Sequence, residues 1–310
     1  MWDGGSPDLG GREYTDPNDP RFIDQSPYFT AISIPAAWKR LAESGRRREA
    51  VTIALIDQGL DSKHEDLQGN AITGYNVVND NTDTAPRTPH GTQIAGILGA
   101  VTNNKIGIAG ILDHVRLMPI YVTPELCYMR KAFYHIIKHR KENNVKIIVA
   151  PLATSNSCFK DMVKQASDVG ILVVGPIGND GKEIRTDVYP CAVSSSAGGV
   201  ICVAATSRTG MRLDPMSSFA SYVDIAAPGN NILTTSLDPL YEHVSGSSAS
   251  VSIIAAIAGI LYSIDSSLSP GTVKSILKET ATPGVKDSTG KTSLNFGRVN
   301  ADQAVARLLR

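Results

Sequence analysis

Three residues far apart in the chain have the side chains needed for nucleophilic attack on a carbonyl group. Asp57 follows the apolar run TIALI, His90 begins the small-residue segment HGTQIAGILGA, and Ser248 begins SASVSIIAAIAGIL. A serine hydroxyl is a weak nucleophile until a base takes its proton, and an imidazole with a pKa of ~6.5 suits that task near neutral pH. A carboxylate can orient the imidazole and stabilise its charged form. Together these residue types predict acyl-transfer chemistry.

Each of these residues also has a structural interpretation that involves no chemistry. A carboxylate after a strand, such as Asp57, is usually a turn or capping residue, and His90 could simply lie beside a helix start. Ser248 in SGSSAS could be a helix N-cap. The joint pattern favours chemistry, because all three lie at element edges beside glycines that let backbone or substrate approach closely. These glycines are Gly59, Gly91 and Gly246.

The elements that would position these residues follow an alternating pattern. Amphipathic stretches at Met129–Asn143 and Phe159–Val169 predict helices. Short apolar strands alternating with helices predict an α/β fold with a doubly wound, mostly parallel sheet and helices on both faces. Ligands bind beyond the carboxyl ends of the strands in such sheets, where Asp57 lies. The predicted strands are Val51–Ile56, Leu117–Val122, Lys146–Ala150, Ile171–Gly175, Val200–Ala204 and Val223–Ala226.

Composition limits the classes of partner. The 310 residues contain 30 basic and 30 acidic side chains, which gives no electrostatic argument for nucleic acid or an anionic membrane surface. The longest apolar stretch, Ile253–Ile264, predicts a buried helix because it is too short to span a bilayer. Residues 1–18 predict a flexible polar leader without the apolar segment of a secretory signal, and residues 19–310 predict one domain. These features indicate either a cytosolic protein or a processed one.

The four cysteines leave two interpretations open. Cys127, Cys158, Cys191 and Cys202 show no CxxC spacing, which argues against a zinc or redox motif. They could all be buried or reduced thiols. Alternatively, Cys127 and Cys158 could form one disulfide in an oxidising compartment. The spacing alone does not decide between the two.

Longer sequence blocks around the three residues identify a family. The segments VTIALIDQGLDSKHEDL, HGTQIAGILGA, GPIGNDG and SGSSAS resemble the four signature blocks of the subtilisin-like serine peptidases. Other segments are similar to further blocks of that family: DPRFIDQ, NNKIGIAGI, VYP and MSSFASYVDIAAPG. The blocks run in family order from about Asp19 to the C-terminus, and the order Asp, His, Ser is that of the triad in subtilisin. The resemblance implies a serine endopeptidase with a subtilisin-like fold.

The resemblance implies roles for four residues. Asp57, His90 and Ser248 would form a catalytic triad that works through an acyl-enzyme intermediate. The side-chain amide of Asn179 and the backbone N–H of Ser248 would form an oxyanion hole. In subtilisin, one such side-chain donor lowers the barrier by roughly 3 to 4 kcal/mol. Without the resemblance, Asn179 in GNDG would be interpreted as a turn residue.

The resemblance also implies where a peptide substrate would lie. The substrate would bind as an extended strand between two segments of the chain. The floor of the pocket for the P1 side chain would contain Ile177, Gly178 and Val188. Valine at 188, where the family often has glycine, predicts a shallow pocket that prefers small or medium apolar side chains. The residues of the two strand-like segments are Tyr121, Val122, Thr123, Pro151, Leu152 and Ala153.

A structural Ca²⁺ site is implied by the same resemblance. Oxygen-only ligands that include a carboxylate suit Ca²⁺. Asp66 and Asn104 could instead be ordinary turn residues, and Lys105 adds an unfavourable positive charge inside the loop. The implied ligands are the side chains of Gln25, Asp66 and Asn104 and the backbone carbonyls of Thr102, Ile106 and Ile108.

The chain departs from the family pattern close to the predicted chemistry. Gln58 replaces a Ser or Thr after the triad Asp, and Gln93 replaces a second His. Pro151 and Ala153 alter an SLG segment, which removes an N–H and adds a methyl group where substrate would approach. All four implied catalytic residues are nevertheless present, which favours an active but divergent enzyme. In the serine block, the family's Met, Ala and Pro positions carry Ala249, Ser250 and Ser252.

Two other functions compete with this interpretation. A pseudoenzyme of the same fold would bind peptides or inhibit a relative without turnover, and the departures at Gln58, Pro151 and Ser252 support it. A doubly wound nucleotide-binding module would need GxGxxG after the first strand, and no such pattern follows Ile56. For the peptidase, the resemblance implies protein or peptide substrates, a secreted location, a monomer without a membrane span, and an N-terminal pro-region that this chain does not contain.

Overall fold

The centre of the protein is a parallel β-sheet. The computed structural model describes residues 14–310, except for the side chains of Leu126 and Cys127. The strands of the main sheet are β1 Val51–Asp57, β2 Tyr75–Asn76, β3 Val115–Tyr121, β4 Val145–Val149, β5 Leu172–Pro176, β6 Val200–Thr206 and β7 Ile225–Pro228. They lie in the order β2-β3-β1-β4-β5-β6-β7, all parallel. A separate antiparallel hairpin pairs β8 Ile232–Thr235 with β9 Tyr241–Val244.

The strand order creates a crevice at the carboxyl end of β1. Strand β1 lies between β3 and β4, so the chain builds the sheet first on one side of β1 and then on the other. Residues that follow the strands meet at such a switch point. Asp57 ends β1, Pro151 lies two residues beyond β4, and Ile177 directly follows β5. The doubly wound parallel sheet predicted from the sequence is confirmed.

Helices cover both faces of the sheet. They are α1 Phe22–Ala31, α2 Ile34–Ser44, α3 His90–Gly99, α4 Leu126–His139, α5 Lys160–Asp168, α6 Ser247–Ile264, α7 Pro270–Glu279 and α8 Ala301–Leu309. Because side chains alternate along a strand, Ile53 and Leu55 of β1 pack with α3 and α6, whereas Ala54 and Ile56 pack with α4. Every residue of β1 is buried, as expected for a parallel strand covered on both sides.

The predicted elements and the observed ones agree where the apolar signal is strong. All six predicted strands are present, each within two residues of its predicted bounds, and both predicted helices form. His90 begins α3, and Ser248 is the second residue of α6, as predicted. Strands β2, β8 and β9 were not predicted. Strand β2 has two residues, and β9 has no fully buried residue, so neither gives an apolar run.

Helix α6 is the apolar core helix of the protein. It has 18 residues with a mean hydropathy of 1.8, enough by length and composition to cross a membrane, but 89% of it is buried inside the protein. The prediction of a buried helix is confirmed. The argument that the apolar stretch is too short for a bilayer is wrong, because the segment that precedes Ile253 extends the helix back to Ser247.

A disulfide joins two residues that sequence reasoning did not pair. Cys191 lies in a short helical turn after β5, Cys202 lies in β6, and their Cα atoms are 4.7 Å apart. Both side chains are fully buried. The alternative pairing of Cys127 with Cys158 involves a side chain outside the described residues and stays a prediction. The predicted leader lies outside them up to residue 13, and the domain bounds also stay a prediction.

Candidate active site

The Asp57 carboxylate and the His90 imidazole are in direct contact. Asp57 Oδ2 lies 2.7 Å from His90 Nδ1. The other carboxylate oxygen, Oδ1, accepts a hydrogen bond of 2.8 Å from the backbone N–H of Gln58. The Asp57 side chain is 7% exposed, whereas that of His90 is 42% exposed. Because the carboxylate holds Nδ1 as a donor, Nε2 is left as the ring atom that can accept a proton.

Gly91 permits this contact by letting α3 approach the end of β1. It is the second residue of α3. A Cβ at this position would lie 2.0 Å from the Gly59 carbonyl oxygen and 3.1 Å from Asp57 Cβ. Any larger residue would therefore push the start of α3, and His90 with it, away from the carboxylate. The glycine noted beside His90 in the sequence has a direct steric role.

Asp57 raises the pKa of His90 above the ordinary value of an imidazole. Burial disfavours the charged ring, but the hydrogen bond to Asp57 and the negative charge of Asp57 together outweigh that effect. The pair therefore stabilises the imidazolium, which is the form that His90 takes after it accepts a proton.

The Ser248 hydroxyl lies in the first turn of α6 and contacts the segment after β4. Its Oγ donates a hydrogen bond of 3.1 Å to the carbonyl oxygen of Pro151. Among the described residues, Ser248 makes no hydrogen bond with His90. The predicted contact between nucleophile and base is thus absent from this arrangement, because the hydroxyl donates its hydrogen bond to the Pro151 carbonyl instead.

Asn179 lies beside the N-terminus of α6. Its Oδ1 accepts a hydrogen bond of 2.8 Å from the backbone N–H of Ser247. Its Nδ2 lies 3.4 Å from the position that a Cβ of Gly246 would occupy. Gly246 has a φ of +142°, which other residues rarely adopt. Asn179 thus lies at the N-terminus of α6, where the helix dipole favours negative charge.

Two departures from the family pattern are compensated by other contacts. Gln58 supports Asp57 through its backbone N–H, so the missing Ser or Thr side chain does not leave the carboxylate unsupported. Ser252, which stands where the family has proline, donates a hydrogen bond of 3.1 Å from Oγ to the backbone carbonyl of Ser248. Helix α6 continues without a break through this position.

A cleft of about 390 Å³ lies beside Asp57 and His90. The two segments that were predicted to hold substrate form much of its wall. Tyr121, also predicted, ends β3 and lies opposite Asp57 in the register of the sheet. The predicted residues among the lining are Val122, Thr123, Pro151, Leu152 and Ala153. Sequence reasoning missed Ile56, Gln58, Pro124, Met129 and Thr154.

Of the residues predicted for the P1 pocket, Gly178 approaches Ala153, which lines the cleft. A Cβ on Gly178 would be only 3.7 Å from Ala153 Cβ, so the segments after β4 and β5 approach closely here. Ile177 is buried and Val188 is partly buried, and neither lines the 390 Å³ cleft. The assignment of these residues to the P1 pocket stays a prediction.

A second polar cluster involves the loop after α3. Asp66 Oδ2 accepts a hydrogen bond from Ile108 N, and Oδ1 accepts one from Asn104 Nδ2, both of 2.8 Å. Burial raises the pKa of Asp66 to about 6, and the charge of Asp19 adds to that rise. Asp19 is 3% exposed and accepts hydrogen bonds from the backbone N–H groups of Asn103 and Asn104. Neither carboxylate forms an ion pair with any described residue.

The side chains of Asp19 and Asp66 are buried and have no cationic partner among the described residues, which is compatible with a bound Ca²⁺ ion. Gln25 Oε1 accepts a hydrogen bond of 2.8 Å from Ala109 N, and Nε2 donates one of 2.9 Å to Ala109 O. These two hydrogen bonds fasten α1 to the loop. The whole predicted ligand set stays a prediction: Gln25, Asp66, Asn104 and the carbonyls of Thr102, Ile106 and Ile108.

Strand β9 contacts the loop after α3 and lies shortly before Ser248 in the chain. The Tyr241 hydroxyl lies 2.0 Å from the position where a Cβ of Gly107 would stand, so the tyrosine packs directly on the loop backbone. The next residue, Glu242, accepts a hydrogen bond from the side chain of Gln93 in α3. Strand β9 then ends four residues before Ser248.

The similarity of the sequence to known proteins identifies its class. The chain is a hydrolase of the serine endopeptidase class. The family model Peptidase_S8, described as the subtilase family, matches residues 48–302. The chain therefore belongs to the subtilase family, as its sequence blocks implied.

Individual relatives agree with this assignment. The chain is 32% identical to thermitase of Thermoactinomyces vulgaris over 295 residues, which cover 93% of this chain and 99% of that protein. It is 27% identical to an extracellular protease of Xanthomonas campestris pv. campestris, over 93% of this chain but only 56% of that protein. A solved structure of a protease from Pseudoalteromonas arctica has a TM-score of 0.80 at 24% identity and covers 95% of this chain and 100% of that one, which supports the fold.

Proposed function

We propose that Asp57, His90 and Ser248 form the catalytic triad of this endopeptidase and that Asn179 completes its oxyanion hole. The observation that carries this proposal is the 2.7 Å contact between Asp57 and His90 at the switch point of the sheet. Helix α6 brings Ser248 to Pro151, two residues beyond the neighbouring strand β4. The three residue types thus reach one edge of the sheet from distant parts of the chain.

The reaction would begin with a change in the partner of the Ser248 hydroxyl. A substrate strand beside Pro151 would favour rotation of the hydroxyl from the Pro151 carbonyl towards His90 Nε2. His90 would take the proton as Oγ attacks the substrate carbonyl carbon, and the π electrons of that carbonyl would move onto its oxygen. The imidazolium, stabilised by Asp57, would then give the proton to the leaving amine, and an acyl-enzyme would remain.

Water would then hydrolyse the acyl-enzyme, with the same groups acting in the reverse order. His90 would take a proton from water as the water oxygen attacks the acyl carbon, and Ser248 would leave with that proton. In both halves of the reaction, negative charge develops on the former carbonyl oxygen. Asn179 Nδ2 and the backbone N–H of Ser248 are donors of the kind that stabilise this charge.

We propose that the P1 pocket accepts small or medium apolar side chains. The substrates of the family are proteins, and an extended peptide would pair with the segments around Val122 and Leu152. The close approach of Ala153 to Gly178 supports a narrow entrance, in addition to the predicted effect of Val188.

The Ca²⁺ site and the secreted location belong to the same proposal. Asp19 and Asp66 would hold the ion, which would supply the positive charge that these buried carboxylates lack. The disulfide between Cys191 and Cys202 supports an oxidising compartment, since disulfides persist mainly outside the cytosol. The relative from Xanthomonas campestris is likewise named as extracellular. The pro-region and the monomeric state stay predictions.

A fluorophosphonate probe tests the triad directly, because it reacts only with an activated serine. We expect the wild-type protein to be labelled and to hydrolyse casein, and Ser248→Ala and His90→Ala to do neither. Ser245→Ala is the matched control: it changes an exposed serine three residues from the nucleophile and should leave both readouts intact. A folded wild-type protein that is neither labelled nor active would instead support the peptide-binding pseudoenzyme.

A further inference from the structure

Two histidines lie one turn apart on α4, away from the catalytic residues. His135 and His139 are separated by four positions and therefore lie on the same side of the helix. Their ring centroids are 4.7 Å apart, and the ring planes are inclined by 34°. Both residues are partly exposed. The proposed peptidase mechanism uses neither of them.

The separation of the two rings matches that of a pair of imidazoles that share one metal ion. An imidazole nitrogen binds Zn²⁺ at about 2.1 Å, which places the ion about 3.2 Å from each ring centroid. For N–metal–N angles between about 90° and 109°, the two centroids are then roughly 4.5 to 5.2 Å apart. The observed 4.7 Å falls within this range. The helix therefore holds the rings of His135 and His139 at a distance that is compatible with binding one ion.

Neighbouring residues hold both rings in place. Glu142 Oε2 lies 2.9 Å from His139 Nδ1, which makes Nδ1 the donor and leaves the lone pair on Nε2. This arrangement of carboxylate and histidine is common behind metal ligands. The ring of Tyr75 stacks on His135, with the centroids 3.8 Å apart and the planes inclined by 6°. The second ring is thus oriented by packing.

The position of the pair on the helix also suits a cation. His139 is the last residue of α4, where the helix dipole favours positive charge.

We propose that His135 and His139 bind one divalent transition-metal ion of the Zn²⁺ or Ni²⁺ type, with Glu142 orienting His139. Imidazole nitrogens favour such ions over Ca²⁺, which prefers oxygen ligands. Across residues 14–310, no group of three or more His, Cys, Asp and Glu side chains is arranged to hold a metal. Water therefore completes the coordination, and the ion exchanges with solvent. Binding would join the last two turns of α4 and stabilise that helix.

Titration with Ni²⁺ alone tests the site. The protein carries Ser248→Ala to prevent self-digestion, is freed of metal, and is studied by calorimetry and thermal unfolding in excess Ca²⁺. We expect one Ni²⁺ per chain and a higher Tm. His135→Gln and His139→Gln should each abolish both effects, and Glu142→Gln should weaken binding by roughly tenfold or more. His243→Gln, which removes an exposed histidine on β9, should bind like the parent.

The nitrogen ligands can also be counted on the parent protein. Cu²⁺ bound at one equivalent should show splitting from two imidazole nitrogens in its electron paramagnetic resonance spectrum. The proposal is overturned by Ni²⁺ binding that survives His139→Gln, by a spectrum with one nitrogen or none, or by the absence of binding to the parent. Because the spectrum requires no substitution at the site, a misfolded variant leaves the test intact.

Discussion

Replacing Ala153 by glycine should open the entrance of the proposed P1 pocket to aromatic side chains. Ala153 Cβ lies 3.7 Å from the position of a Cβ on Gly178. One further C–C bond of about 1.5 Å puts Gly178 Cα at most about 5.2 Å from that methyl group. An aromatic ring between two walls needs about 7 Å, because each carbon contact requires about 3.5 Å. If these residues form the entrance, as we propose, it is too narrow for a ring in the wild type.

The glycine variant removes most of this obstacle. Without the methyl group, the distance between the Cα atoms is at most about 6.7 Å, close to what a ring requires. Full burial of a phenylalanine side chain is worth about 1.5 to 3 kcal/mol, so kcat/KM for Phe at P1 relative to Ala should rise roughly 10- to 100-fold. Ala153→Ser, which keeps a Cβ, should leave the preference unchanged.

The assay compares peptides that differ only at P1, with kcat and KM measured separately for the wild type and both variants. An improved Phe substrate with unchanged Ala cleavage would support the geometry. Wild-type protein that already cleaves after Phe as efficiently as after Ala would refute the reasoning. So would an Ala153→Gly variant that keeps its activity on Ala substrates but gains none on Phe.

Three further predictions follow from the site and the core. Asp57→Asn should lower kcat by roughly 10⁴-fold. In the wild type, kcat/KM should fall on acidification with a midpoint above about 6.5, because His90 must be neutral to act as a base and its pKa is raised. A pH–rate profile with a lower midpoint would contradict the raised pKa of His90. Removing Ca²⁺ with EGTA should lower the Tm of the Ser248→Ala protein by roughly 5 °C or more, which is the shift expected when the free Ca²⁺ concentration was about a hundred times the Kd of the site. Asp19→Asn should abolish this response to EGTA. Changing Cys191 and Cys202 together to alanine should lower the free energy of unfolding by about 3 kcal/mol, given the 11-residue separation; urea unfolding measures this, and an unchanged value would argue against the bond.

The part of the fold that sequence predicted is the part built on continuous burial. Strand β1 and helix α6 gave clear signals because nearly all their residues are apolar and buried. The hairpin of β8 and β9 gave none. Strand β8 is buried throughout, but ILTT has only two apolar residues, and YEHV of β9 has no fully buried residue, so the hairpin depends on the pairing of its two strands. Long apolar runs are therefore predictable, whereas elements that depend on a partner are not.

Sequence motifs identified the candidate residues of the site but not their contacts. The Asp57–His90 pair was expected from the family blocks, whereas the hydrogen bond of Ser248 to Pro151 depends on a rotamer that no motif specifies. Asp19, which we propose as a Ca²⁺ ligand, gave no sequence signal because its hydrogen-bond partners lie 84 and 85 positions later in the chain. The pair of Cys191 and Cys202 was missed because it has no diagnostic spacing. Contacts of these kinds depend on tertiary packing.

The path of strand β9 has a consequence for how loss of the proposed Ca²⁺ ion would affect activity. Tyr241 rests on the backbone of the loop at Gly107, and the same short strand leads to Gly246 and then to the nucleophile. A change in the conformation of that loop would therefore displace β9 and, through it, the first turn of α6, which carries Ser248. Turnover should accordingly decline at lower temperatures than global melting in ion-depleted protein.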